Sequence, residues 1–189
     1  MDNPQNQEDL SNWRALDKGK FKANCDVDTN ESGPFSKASV VIRDWNGKLL
    51  DGTVHSIRAE SSLDGELQAI RAACKVANGL GLKEVEIEYD NKQTISLSVS
   101  ELVPPWKVCS VVQDIRHFAK DGKFLFKWAR RTANKVAHKV ASLALKKRLP
   151  CNWPNEFSED RVNGVAHFPS KSTKGDGPLN DDCGKMNEK

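Results

Sequence analysis

Asp26, Glu66, Asp90 and His138 are the residues through which this chain could do chemistry. Asp26 ends the run Phe21-Lys22-Ala23-Asn24-Cys25-Asp26, and Asp90 ends Val85-Glu86-Ile87-Glu88-Tyr89-Asp90. Both runs alternate with the period of a half-buried strand, so both carboxylates sit at strand ends. Glu66 opens the stretch from Glu66 to Ala77, in which Ile70, Ala73 and Ala77 follow at helical spacing on its face. A carboxylate at the border of a core is costly unless paired or bound to a cation, and three converging ones repel each other. A hard divalent ion such as Mg²⁺ resolves that conflict through oxygen ligands.

Positioning these groups requires alternating strands and helices. Strands are expected at 21–27, 38–44 and 48–57, the last two joined through Trp45-Asn46-Gly47, where Asn-Gly favours a tight hairpin. A helix at about 64–78 stops at Asn78-Gly79. Ala59-Glu60 lies before that helix, since Ser61 to Gly65 reads as turn and helix cap, and Glu60 is set aside as a candidate acid. A strand at 83–89, a short helix at 91–100 and a helix running from Pro104-Pro105 to Asp121-Gly122 follow. A strand at 123–128 and a final helix at 131–148 complete the body. Strands that are first antiparallel and then alternate with helices imply an α/β fold, a mixed five-stranded sheet with helices on both faces. The expected organisation is a flexible lead-in at 1–20 in which Trp13 could pack on the body, a domain at 21–149, and a mostly disordered tail at 150–189 from which Trp153 and Phe157 could dock back.

The 189 residues, 38% of them hydrophobic, suffice for one good core. No apolar run approaches the roughly 20 residues that span a bilayer, and the first twenty residues carry no signal-peptide core. The expectation is an intracellular protein of nucleus or cytoplasm, not secreted, without membrane association and monomeric. Cys25, Cys74, Cys109, Cys151 and Cys183 form no C-x-x-C pair, which argues for reduced thiols and against structural zinc. Net charge is +3, yet residues 120–149 hold ten Lys/Arg against the single acid Asp121, a local +9 that leaves about −6 elsewhere. On the last helix Lys135, Lys139 and Lys146 share one face, opposite Ala133, Ala137, Val140 and Ala144. With Lys123, Lys127, Arg130 and Arg131 beside it, this helix either presents a solvated face or faces phosphates.

In order along the chain, several segments resemble the plant-type, reverse-transcriptase-associated branch of the ribonuclease H-like family over roughly residues 13 to 145. Trp13 to Asp26, with Gly19 and Lys22-Ala23-Asn24-Cys25-Asp26, resembles the family's lead-in and first strand. Val40-Val41-Ile42-Arg43-Asp44 with Asn46-Gly47-Lys48 resembles its second strand and turn. Glu66-Leu67-Gln68-Ala69-Ile70 and Glu86-Ile87-Glu88-Tyr89-Asp90 resemble the segments carrying the second and third acids, and Arg130 to Ala141 is similar to its last helix.

That resemblance implies hydrolysis of the RNA strand of RNA–DNA hybrids with two ions, Mg²⁺ or Mn²⁺, roughly 4 Å apart. Asp26 would bridge both ions, Glu66 and Asp90 would hold the leaving-group ion, and His138 takes the position of a fourth ligand. Lys123, Lys127, Arg130, Arg131, Asn134, Lys135 and Lys139 would contact nucleic acid. An alternative stays open: a catalytically decayed, retroelement-derived binding or regulatory module. It is favoured by His138, where the family usually has Asp, and by Asp26-Val27-Asp28, where it has Asp-Gly. The stretch between Trp128 and Asn134 also has no histidine loop. His117, His55 and His167 form no constellation.

Overall fold

The computed structural model describes residues 14–30, 33, 35–149 and 153. The expectations about Trp13, Phe157, His167, Cys151, Cys183 and the bulk of both termini lie outside the described residues. Chain order is β1 (Phe21–Asp28), β2 (Phe35–Asp44), β3 (Leu49–Arg58), α1 (Ser62–Gly79), β4 (Val85–Tyr89), α2 (Lys92–Val99), a 3-10 turn (Trp106–Val108), α3 (Cys109–Gly122), β5 (Leu125–Trp128) and α4 (Lys135–Leu145). The sheet runs β3-β2-β1-β4-β5. β1/β2 and β2/β3 pair antiparallel, while β1/β4 and β4/β5 pair parallel.

Alternation in β1 and β2 sorts side chains onto two faces. Ala23, Cys25, Val40 and Ile42 face one way with Ile87 and Tyr89, and bury against Leu67, Ile70, Ala73 and Cys74 of α1 and Val112 and Ile115 of α3. The opposite face carries a smaller cluster of Val41 with Val136, Ala137 and Val140 of α4 and Trp153. Helices thus cover both faces, as the alternating pattern predicts. No helix of the described residues is long and apolar enough to cross a membrane.

Element boundaries differ from expectation where caps act. α1 starts at Ser62, earlier than the apolar stripe suggests, because the Ser61 hydroxyl accepts from the Asp64 amide at 3.1 Å and the Asp64 carboxylate accepts from the Glu60 amide at 3.0 Å. It stops with Gly81, not Gly79, in the left-handed region at φ 68°. Leu82 N–H donates to Ala77 O and Gly81 N–H to Asn78 O. α4 is shorter than the expected 131–148. Its start is delayed by a turn in which the Ala133 and Asn134 amides return to Arg130 O, and its end is set by Lys147 at φ 52°.

Trp153 does dock back. It is 5% exposed, and a Cβ added to Gly52 of β3 would fall 2.1 Å from its ring. The missing side chain at 52 is therefore the seat of the indole. Trp153→Ala should lower unfolding free energy by about 3–5 kcal/mol. Gly52→Ala should destabilise the wild-type background and be nearly silent beside Trp153→Ala. A double-mutant cycle by urea denaturation measures this, and additive effects would contradict the contact.

Candidate active site at the ends of β1 and β4

The parallel register runs from Phe21↔Val85 to Asn24↔Glu88. Two residues further on, Asp26 and Asp90 leave the same face of strands about 4.8 Å apart. Asp26 is 5% exposed. Asp90 is half-buried, and its carbonyl accepts from Trp128 Nε1 at 3.0 Å, which ties the end of β4 to the end of β5. Lys92 Nζ covers the Trp128 ring at 4.4 Å from its centroid.

Below the acids this face is polar and buried. Lys22 Nζ reaches Glu88 Oε1 at 2.6 Å and Glu86 Oε1 at 3.2 Å, Asn24 Nδ2 donates to Glu88 Oε2 at 2.8 Å, and Lys127 Nζ meets Glu86 Oε2 at 2.5 Å. Every carboxylate oxygen of Glu86 and Glu88 has a donor, the condition under which buried charges are tolerated.

Glu66 lies in the second turn of α1, half-buried. Its Oε2 accepts two bonds, from Asn91 Nδ2 at 2.7 Å and from Thr94 Oγ1 at 2.6 Å, while Oε1 has Ser62 Oγ at 3.5 Å. Glu60 is exposed and precedes the helix.

His138 projects from α4, and its Nδ1 donates to Asp26 Oδ2 at 2.7 Å. Its Nε2 is then the acceptor for Arg131 Nη2 at 3.2 Å. Asn134, expected to touch nucleic acid, is instead 1% exposed. Its Nδ2 donates to Cys25 O at 2.9 Å, and its Oδ1 is buried without a hydrogen-bond partner among the described residues. This amide fastens the start of α4 to the residue before Asp26. Ser39 Oγ, donating to Ala137 O at 2.7 Å, fastens the next turn.

Burial, and then the neighbouring charge of Asp90, push the Asp26 carboxyl up to about 6; the His138 hydrogen bond pulls the other way without cancelling them. Tyr89, 1% exposed, is pushed far above its ordinary value by burial and by the charges of Asp26, Cys25, Glu66 and Asp90. The three acids therefore share one electrostatic environment. Among the described residues no three His, Cys, Asp or Glu side chains stand as a ready-made ion cage. Asp26 Oδ2 is engaged by His138, and Glu66 Oε2 by Asn91 and Thr94. In donor chemistry the set fits a hard divalent ion: three oxygen ligands, one of them held back from ionising by burial and by its acidic neighbour.

The basic residues divide. Arg130, Arg131, Lys135 and Lys139 are exposed around the start of α4, beside His138. Lys127 is engaged by Glu86, and Lys123 caps α3 at the opposite end of β4 and β5, where Glu84 N–H meets Gly122 O. His117 faces solvent and His55 pairs with Thr53. Sequence reasoning missed Asn91 and Thr94. An Asn directly after the strand-ending acid and three residues before Thr was the available signal, an N-cap pattern.

A raised carboxyl pKa means that the folded state holds its proton longer than the unfolded chain, so stability falls as pH rises from about 4 through about 6. Asp26→Asn removes that slope. In chelator, the variant should gain about 2 kcal/mol on wild type between pH 4 and pH 7. Urea midpoints across that range decide it, and parallel curves would exclude the strained carboxylate.

The family described as Reverse transcriptase-like matches residues 24–144, more than half of the chain. A search of curated proteins found no match. Among solved structures, RNase H1 from the halophilic archaeon Halobacterium salinarum NRC-1 superposes with a TM-score of 0.61 at 17% identity, over 68% of this chain and 99% of that one. LC11-RNase H1, isolated from compost, gives 0.60 at 20% identity, over 70% and 99%. The same enzyme in complex with an RNA/DNA hybrid gives 0.59 at 19% identity, over 69% and 99%. At these identities the superpositions establish the fold, and the family match establishes descent: this chain belongs to the reverse transcriptase-like family and has its ribonuclease H-like domain.

Proposed function

We propose that this chain binds RNA–DNA hybrids and hydrolyses their RNA strand with two divalent ions, Mg²⁺ or Mn²⁺. What supports this reading is that Asp26 and Asp90 lie near the ends of the paired strands β1 and β4, that Glu66 of α1 is bonded to Asn91, the residue after Asp90, and that an exposed basic surface lies beside His138. The fold likeness to LC11-RNase H1, solved with an RNA/DNA hybrid, supports it. Asp26, Glu66 and Asp90 would hold the ions, with His138 at the fourth position. When bound, such ions activate water and stabilise a leaving oxygen in phosphodiester hydrolysis. The chain's own residues orient and exclude. Asn134 and Ser39 fix α4 over β1, Trp128 fixes the Asp90 backbone, and Arg130, Arg131, Lys135 and Lys139 offer charge to a phosphate backbone. The start of α4 adds the positive end of a helix dipole to that surface.

A second reading, binding without cleavage, is favoured by one specific contact. The imidazole of His138 already holds the Asp26 oxygen at 2.7 Å, where the family usually places a further carboxylate. In that reading the internal donor stands in for the cation and the scaffold keeps only its grip.

Wild type, Asp26→Asn and His138→Asp, each incubated with labelled hybrid and Mn²⁺ or Mg²⁺, separate the two. Cleavage by wild type that drops at least about 100-fold in Asp26→Asn supports hydrolysis. Cleavage by His138→Asp alone supports the blocked site, and hybrid binding with no cleavage in any variant leaves only the binding module. Absence of both binding and cleavage overturns both readings.

A further inference from the structure

Resting on the metal-dependent reading above, we propose that Asn91 and Thr94 are positioning residues that make Glu66 a one-oxygen ligand, occupying Oε2 and leaving Oε1 to the ion. Oε2 accepts from Asn91 Nδ2 at 2.7 Å and Thr94 Oγ1 at 2.6 Å, which uses both of its lone pairs. Among the described residues Oε1 has only Ser62 Oγ, at the 3.5 Å limit of a hydrogen bond. The two oxygens of one carboxylate are thus in unlike states, a saturated anchor and an acceptor with spare capacity.

Both donors are themselves held rigidly. Asn91 is the N-cap of α2, and its Oδ1 accepts from the Gln93 amide at 2.8 Å and the Thr94 amide at 3.3 Å. With the oxygen committed to the helix, the amide nitrogen has one direction left, toward Glu66. Thr94 is fully buried, β-branched and in the first turn of α2, and its carbonyl accepts from Ser98 Oγ at 2.9 Å. Asn91 also follows Asp90 directly in the chain. One helix cap therefore fixes the second acid, from α1, relative to the third, at the end of β4.

A buried threonine satisfied by the nearest carboxylate would show the same distances without any role toward a ligand. The two cases differ in what removing the hydroxyl does to ion affinity. Wild type, Thr94→Val, Thr94→Ser, Asn91→Ser and Glu66→Gln are titrated with Mn²⁺, free ion being read by electron paramagnetic resonance, and each is melted in chelator to report the fold separately. Thr94→Val keeps the shape and loses the donor, and should weaken Mn²⁺ binding about 10-fold, toward the level of Glu66→Gln. Thr94→Ser should restore most of it. Asn91→Ser keeps a good N-cap but loses the amide, and should weaken binding in the same direction. Wild-type affinity in Thr94→Val, or no recovery in Thr94→Ser, overturns the positioning role while leaving the metal reading intact. A wild-type chain that binds no Mn²⁺ overturns the metal reading and this proposal with it.

Discussion

Two carboxylates forced side by side constrain everything else in this structure. Parallel pairing of β1 with β4, continued two residues past Asn24↔Glu88, puts Asp26 and Asp90 on the same face, and the buried one cannot share its charge with water. Positive charge or donated hydrogen bonds must come from elsewhere, because like charges a few ångströms apart in a low-dielectric setting oppose joint ionisation. The chain answers with the His138 imidazole at 2.7 Å, and Asp26 still sits near 6. Compensation by protein groups alone is thus partial. A site left short of positive charge in this way attracts either a cation or a hydrogen-bond donor such as the His138 imidazole, which is why hydrolysis and binding without cleavage grow from one geometry.

The rest of the sheet protects that pairing. Strands of parallel sheets are commonly apolar on both faces, yet here the half that β1 shares with β4 and β5 is apolar on one face only. α1 and α3 cover the apolar face, while α4 covers β1 and β2 on the other and leaves β4 and β5 to Lys22, Asn24, Glu86, Glu88 and Lys127. Because side chains alternate, a slip of one residue would turn this charged set into the α1 core. Such a network adds little net stability but penalises every register except the native one. The same register brings Asp26 beside Asp90, so the charges deep in the sheet hold the geometry of the acids at its end.

Local pattern was enough to read the strands, the amphipathic stripe of α1 and the acids at β1 and β4, because alternation and helical spacing act within a few residues of each position. The mixed sheet also followed, from two hairpin-linked strands succeeded by strand–helix alternation. What escaped were contacts between distant segments. Lys127 reads as a free cation in sequence and is an ion-pair partner in the fold; Asn134 reads as a surface amide and is a buried strut to Cys25. The Glu66 anchor joins residues 25 and 28 positions apart, and the Lys22–Glu88 pair 66 apart. Composition gives no hint of either. Boundaries moved for a related reason, since Ser61 and Lys147 set helix ends by their own caps and backbone while the apolar stripe continues past or falls short of them.

The acids of the site are held by supports of different kinds. Glu66 is bound to the half-buried helix cap Asn91 and to the buried Thr94, both of which are held by α2 itself. Asp26 is bound to His138, which in turn accepts from Arg131, an exposed guanidinium on the turn before α4. Two hydrogen bonds therefore separate the most buried acid from the basic surface on which a phosphate backbone would lie. A phosphate there competes with the imidazole for the donors of Arg131, because an anion is the stronger acceptor. The link in the site that an arriving phosphate would disturb is consequently the one that leads to its most deeply buried acid.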